Sequence, residues 1–177
     1  MNDGLRGAAL ALAWSTAFAA YAAPPHEHGV ARLAAALEGE ALTLTFTLPL
    51  DSLLGFERAP RNAAEKQAAD RAIDVLRRET EIVRPDAAAQ CERSDVTLVS
   101  PVLGLGAAPE PATADAHADL DATYSFRCLQ PARLAQIELP LMAAFPRIGR
   151  IEAQIVGEKG QRRQSAKRAA PKLTWPR

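Results

Sequence analysis

Val30-Ala31-Arg32-Leu33-Ala34-Ala35-Ala36-Leu37-Glu38-Gly39-Glu40-Ala41-Leu42-Thr43-Leu44-Thr45-Phe46-Thr47-Leu48-Pro49 decides the fold. In its first half Ala31, Leu33, Ala35 and Leu37 alternate with Arg32, Ala34, Ala36 and Glu38; in its second, Leu42, Leu44, Phe46 and Leu48 alternate with Thr43, Thr45 and Thr47. A period of two is that of a half-buried strand. Glu38-Gly39-Glu40 supplies a turn between the halves, so the pair reads as an antiparallel hairpin that Pro49 closes.

Downstream the pattern changes once to a helical one. Asn62 with Glu65 three residues later resembles a capping box, and Ala68, Ala69, Ala72, Ile73 and Leu76 share one helical face. Lys66 with Asp70 and Asp74 with Arg78 fall on its exposed side as solvated pairs. The segment before it, Leu53 to Pro60, reads as irregular, and within Leu54 to Pro60 Gly55 and Pro60 shape a turn and Phe56 plugs the core. Val96 to Leu103 and Leu120 to Cys128 read as strands, the latter with Tyr124, Phe126 and Cys128 on one face. Gly104 to Ala116 between them is a loop rich in breakers. Ala135 to Leu139 and Arg150 to Val156 read as strands separated by a short helical turn at Leu141 to Phe145. Gly157 to Gly160 then turns into a strand over Gln161 to Arg168. The expected fold is α+β, a mainly antiparallel β-sheet with one principal helix and a short second one. No internal repeat is visible.

The first residues have the form of an export signal. Arg6 gives a positive start, Ala8 to Ala20 is apolar, and Ala20-Tyr21-Ala22 offers small residues at the two positions a signal peptidase reads, so cleavage is expected after Ala22. The run is shorter than the roughly 20 residues of a spanning helix and ends in Pro24-Pro25. No cysteine follows to carry a lipid. The expectation is a periplasmic chain, residues 1–22 a signal peptide and residues 23–177 a single domain, with no spanning segment after processing.

Lys and Arg together number 21, as do Asp and Glu. This balance gives no reason to expect nucleic acid as a partner. The C-terminal segment, with Arg162, Arg163, Lys167, Arg168, Lys172 and Arg177, has no acidic residue after Glu158. It reads as a solvated edge strand protected by Lys and Arg, or as a contact for anionic lipid or a transporter. Cys91 and Cys128 are the only cysteines. An oxidising compartment would pair them, and closing that loop contributes about 3 to 4 kcal/mol in the chain-entropy model.

No GxSxG elbow or Walker loop is present, and Gly104-Leu105-Gly106 lacks the third glycine of a dinucleotide fingerprint. Asp119 and Asp121 face the same way on a strand, as surface acidic pairs often do. The chain is therefore expected not to be an enzyme. Metal chemistry has a better foothold in Pro25-His26-Glu27-His28-Gly29. His26 and His28 are two apart, so in an extended segment they project to one side, with Glu27 opposite. That is half of a zinc site, which needs three or four ligands. His117 is the only other histidine, and Asp115 and Asp119 beside it are oxygen donors. Meeting requires the strand that starts near Ala118 to lie beside the one that starts near Val30. The alternative is a solvated His-x-His.

His26-Glu27-His28-Gly29 before a hairpin, Leu54-Gly55-Phe56-Glu57-Arg58-Ala59-Pro60 before a helix, and His117-Ala118-Asp119-Leu120-Asp121-Ala122-Thr123-Tyr124-Ser125-Phe126-Arg127-Cys128 together resemble the ZrgA-like family of zinc-regulated periplasmic zinc-uptake proteins. Phe145-Pro146 and Ile155-Val156-Gly157 with Gln161 continue the likeness over nearly the whole chain after residue 22. The resemblance implies a periplasmic protein that binds Zn²⁺ through His26, His28 and His117, with Asp119 as a further donor. It also implies assistance to high-affinity zinc import beside a zinc ABC transporter or its periplasmic binding protein, and it agrees with a paired Cys91 and Cys128. Members of that family commonly carry a long His/Asp/Glu-rich tract before the segment matching His117. Here Ala107 to Ala116 contains no histidine, so the expected capacity is one ion at most. Histidines also bind copper, and the chain has no methionine cluster to separate the two metals.

Overall fold

The computed structural model describes residues 27–106 and 118–176. The opening hairpin forms as its alternation predicts. β1 (Val30–Glu38) and β2 (Ala41–Pro49) pair antiparallel with Leu33 opposite Phe46 and Ala35 opposite Leu44. The loop between them is two residues, Gly39 and Glu40, and Gly39 takes the positive φ that such a loop requires. Ala31, Leu33, Ala35, Leu42, Leu44, Phe46 and Leu48 turn inward and are buried, while the threonines of β2 line the opposite face.

Around this hairpin β4 (Cys91–Val99), β5 (Asp119–Cys128), β7 (Arg150–Gly157) and β8 (Gly160–Lys167) complete a six-stranded sheet in the order β4-β5-β2-β1-β7-β8. The α+β class is as expected, and the pairings are antiparallel with one exception: β1 runs parallel to β7. A second sheet of three very short strands, β3 (Arg84–Pro85), β6 (Gln136–Glu138) and β9 (Lys172–Thr174), takes up the segment expected as a strand at Ala135 to Leu139.

Among the described residues three α-helices connect the strands. α1 (Leu50–Leu54) follows β2 directly, where the sequence was read as irregular from Leu53. The principal helix is α2 (Ala63–Arg77) and α3 (Leu141–Ala144) is a single turn. The N-terminus of α2 is built as its sequence predicts: Asn62 Oδ1 accepts from the Glu65 N–H at 2.9 Å. The Glu65 carboxylate finds its main partners upstream of Asn62. It accepts from the Arg61 N–H at 2.7 Å and from both guanidinium nitrogens of Arg58, at 2.7 and 2.9 Å. Chiefly through Arg58 its pKa is held down at about 2. Phe56 does not plug the core; it is half-buried, with the Arg58 guanidinium 5.1 Å from its ring centre. Ala69, Ala72 and Leu76 are buried. At the far end of α2 the Tyr124 hydroxyl donates to the Leu76 carbonyl at 2.6 Å, and its ring meets Phe46 edge-on at 5.9 Å. Burial of that hydroxyl raises the tyrosine's pKa.

Two edges close the sheet differently. β4 begins at Cys91, earlier than expected, and ends at Val99, because Pro101 has no N–H for the ladder and starts a helical turn over Pro101–Leu103. Its first residue is bonded through sulfur to Cys128, its register partner. β8 is the opposite edge, and Arg162 and Arg163 lie exposed on it, which agrees with the edge-strand reading of the basic segment. Arg168 is exposed too, but its guanidinium is tied down, donating to the carbonyls of Met142, Pro146 and Ile148. The described part of the loop after Gly104 ends at Gly106. Among the described residues no helix is long and apolar enough to cross a membrane.

Candidate metal site

The site lies where β1 starts. Glu27-His28-Gly29 forms a turn closed by the Val30 N–H donating to the Glu27 carbonyl at 3.1 Å, with Gly29 at φ +78°. The backbone of Gly29 is held from two sides. Its N–H donates to Oγ of Ser52, a buried residue of α1, at 3.0 Å. Its carbonyl accepts from the N–H groups of Gly149 and Arg150 at 2.8 and 3.2 Å. Glu27 adds an ion pair to Arg150 at 2.8 Å. His28 therefore projects from a fixed backbone, and its ring is 68 % exposed.

Two carboxylates face that ring. Asp51 stands in the first turn of α1, with its Oδ2 3.7 Å from Nδ1 of His28. α1 ends at Gly55, in the left-handed region at φ +86°, whose N–H donates to the Asp51 carbonyl at 2.8 Å. The chain turns there and delivers Glu57, with its Oε1 3.3 Å from Nε2 of His28. The positive φ is what favours glycine at position 55; the guanidinium of Arg147, the end of an exposed side chain, lies over its bare Cα.

The sheet register brings the other expected segments to this end. Arg32 pairs with Thr47 and Pro49 with Asp119, so the start of β1, the end of β2 and the start of β5 share one end of the sheet. The Leu50 N–H donates to the Ala118 carbonyl at 2.9 Å. The strand that starts near Ala118 does not lie beside the one that starts near Val30: β2 runs between them, although both start at the same end of the sheet. Asp119 is half-buried opposite Pro49. His26, Asp115 and His117 lie outside the described residues; His26 adjoins Glu27 and His117 adjoins Ala118 in the chain.

Imidazole nitrogen and carboxylate oxygen are both zinc donors, so His28, Asp51 and Glu57 fit that ion in chemistry. One imidazole gives only one nitrogen to an ion, and the two carboxylates address different nitrogens. They flank the ring rather than converge, and among the described residues no group of three His, Cys, Asp or Glu side chains is set to hold a metal. Asp51 and Glu57 were not singled out from the sequence. Their nearness to His28 comes from α1 and the Gly55 turn, neither of which leaves a pattern linking them to a histidine in the turn before β1.

A family model described as ZrgA family zinc uptake protein matches residues 25–175, from just before His26 to Trp175. No curated protein matches the chain.

Proposed function

Since the chain belongs to the ZrgA family of zinc uptake proteins, we propose that it is a non-enzymatic periplasmic zinc-binding protein that assists high-affinity zinc uptake, exported by a signal peptide over residues 1–22. In this reading zinc is cargo, taken up at the end of the sheet where β1 starts and passed to a zinc ABC transporter or its periplasmic binding protein. The observation that carries it is the register: it gathers His28 and the attachment points of His26 and His117 at one end, with carboxylates alongside. Neutral imidazoles of His26, His28 and His117 are the proposed nitrogen ligands and Asp119 a further oxygen donor. The bond between Cys91 and Cys128 suits an oxidising compartment.

Zinc titration calorimetry on the oxidised protein at neutral pH tests this, beside a variant with His26, His28 and His117 all changed to alanine. Submicromolar binding of one ion, lost in the variant, is the expected result, and affinity should fall in acid because protonated imidazole does not ligate. Equal affinity of the two proteins refutes the site.

A second reading, an envelope interaction module with a weak metal site, draws on the open face of the six-stranded sheet. There a concavity of about 660 Å³ is lined by Arg32, Thr45, Thr47, Glu152, Gln154 and Arg163. A partner recovered equally well with and without a zinc chelator would favour this reading over the first.

A further inference from the structure

We infer that the groove between α1, α2 and the turn after α3 is a docking site for a partner polypeptide, which enters it with an apolar side chain flanked by carboxylates. The groove encloses about 390 Å³. Ala72 and Phe145, both buried, lie at its base, and half-buried Leu53, Ala68, Val75 and Ala144 line it above them. Residues 68, 72 and 75 follow the helical repeat, so this stripe of α2 is apolar although part of it meets solvent. Two cations stand at the rim. Arg71 and Arg147 are exposed, no acidic side chain lines the groove, and among the described residues neither guanidinium has an ion pair or a hydrogen bond. Arg162 and Arg163 are exposed as well, but on a strand of polar side chains; Arg71 and Arg147 frame an apolar recess.

Charge decides the occupant. A guanidinium takes a carboxylate in a two-pronged hydrogen bond, and an apolar recess ringed by arginine is the composition of an interface anchor. A membrane fits less well, because the apolar side chains are recessed and receive a group rather than project into a bilayer. A second copy of this chain fits less well too. Leu129 and Val156 are the large exposed apolar side chains of the described residues; Leu129 lies between Arg127 and Arg133 in the chain, and the acid nearest Val156, Glu158, adjoins Lys159. The groove also has a neighbour. Ser52 lines it and accepts from the Gly29 N–H, and Arg147 reaches over Gly55, so the groove adjoins the turn that carries His28. A partner seated there stands beside the end of the sheet assigned to zinc. None of the proposed zinc ligands lines the groove, so the docking site and the zinc reading fail separately.

The probe comes from a phage-displayed library of random short peptides selected against the oxidised full chain. Enrichment of sequences that place Leu, Ile, Phe or Met beside Asp or Glu is the expected result. The leading peptide, labelled with a fluorophore, is then titrated by anisotropy against wild type, Arg71→Gln/Arg147→Gln and Ala68→Glu, with and without a zinc chelator. The double variant should lose about tenfold in affinity. Ala68→Glu, which puts a like charge at the groove wall, should lose as much. Wild-type binding should weaken with added salt and ignore the chelator, and all three proteins should share one melting midpoint. Failure to enrich any peptide, enrichment of peptides without acids, or equal affinity of wild type and the double variant overturns the inference. Two further results overturn it by naming another occupant: phosphatidylglycerol vesicles that sediment wild type but not the double variant assign the groove to a membrane, and a dimer in ultracentrifugation that the double variant lacks assigns it to a second copy.

Discussion

Breaking the bond between Cys91 and Cys128 should lower stability by about 3 to 4 kcal/mol, and the structure shows where the loss would begin. The two cysteines are 37 positions apart, so the closed loop lies between the lengths for which the chain-entropy model gives about 3 and about 4.7 kcal/mol. Cys128 is fully buried and alanine leaves no unpaired polar group there, so a Cys91→Ala/Cys128→Ala variant isolates the cross-link. In a domain of this size each kcal/mol moves the melting midpoint by about 2 to 4 °C, which predicts a fall of roughly 6 to 16 °C. β4 should open first. It is an edge strand hydrogen-bonded only to β5, its side chains from Glu92 to Asp95 are exposed, and the bond anchors its first residue. Thermal denaturation followed by circular dichroism, with and without reductant, measures the midpoint, and amide exchange locates the loss of protection. The double variant should ignore reductant. A reduced wild type melting within about 2 °C of the oxidised protein refutes the reasoning.

Tyr124→Phe keeps the ring against Phe46 and removes only the donor to the Leu76 carbonyl, so it should cost about 1 to 2 kcal/mol in a urea titration; an unchanged midpoint would show that the carbonyl finds another donor. The depressed pKa of Glu65 means that its contribution is complete above the ordinary carboxylate value of 4.5 and is lost as pH falls through about 2. Between those values wild type should therefore lose more of its urea midpoint than Arg58→Ala does, and parallel pH profiles would contradict the assignment. Gly55→Ala and Gly39→Ala both place a side chain at positive φ, at a cost of about 1 kcal/mol or more. The guanidinium that the first would meet ends an exposed arginine side chain and can swing aside, so the two variants should lose similar stability in a urea titration; a much larger loss in Gly55→Ala would refute this.

The sequence revealed those parts of the fold whose burial has a period. β1 and β2 each have one face in the core and one in solvent, and α2 has a capping asparagine and an alanine stripe. β4 was half missed because an edge strand exposed along its first residues shows no alternation from Glu92 to Asp95. The parallel pairing of β1 with β7 left no trace, since alternation is the same whichever way the neighbour runs. The second sheet is made of strands too short to show a period. At the candidate site, His28 stood out because histidines are rare here. Asp51 and Glu57 are ordinary acids in sequence, and only the helix between them and the backbone of Gly29 give them a common neighbour.

The parallel pairing of β1 has a consequence in time. A chain that emerges from its N-terminus makes β1 and β2 early, as a two-stranded ribbon marginal on its own. The free edge of β1 waits for Arg150–Gly157, and until that stretch arrives Gly29 lacks the N–H donors of Gly149 and Arg150, and Glu27 lacks its cation. The residues written first are thus seated among the last. Metal offered to a nascent chain would meet a loose histidine pair, whereas metal offered to the finished one meets a fixed backbone, so loading should follow folding rather than guide it.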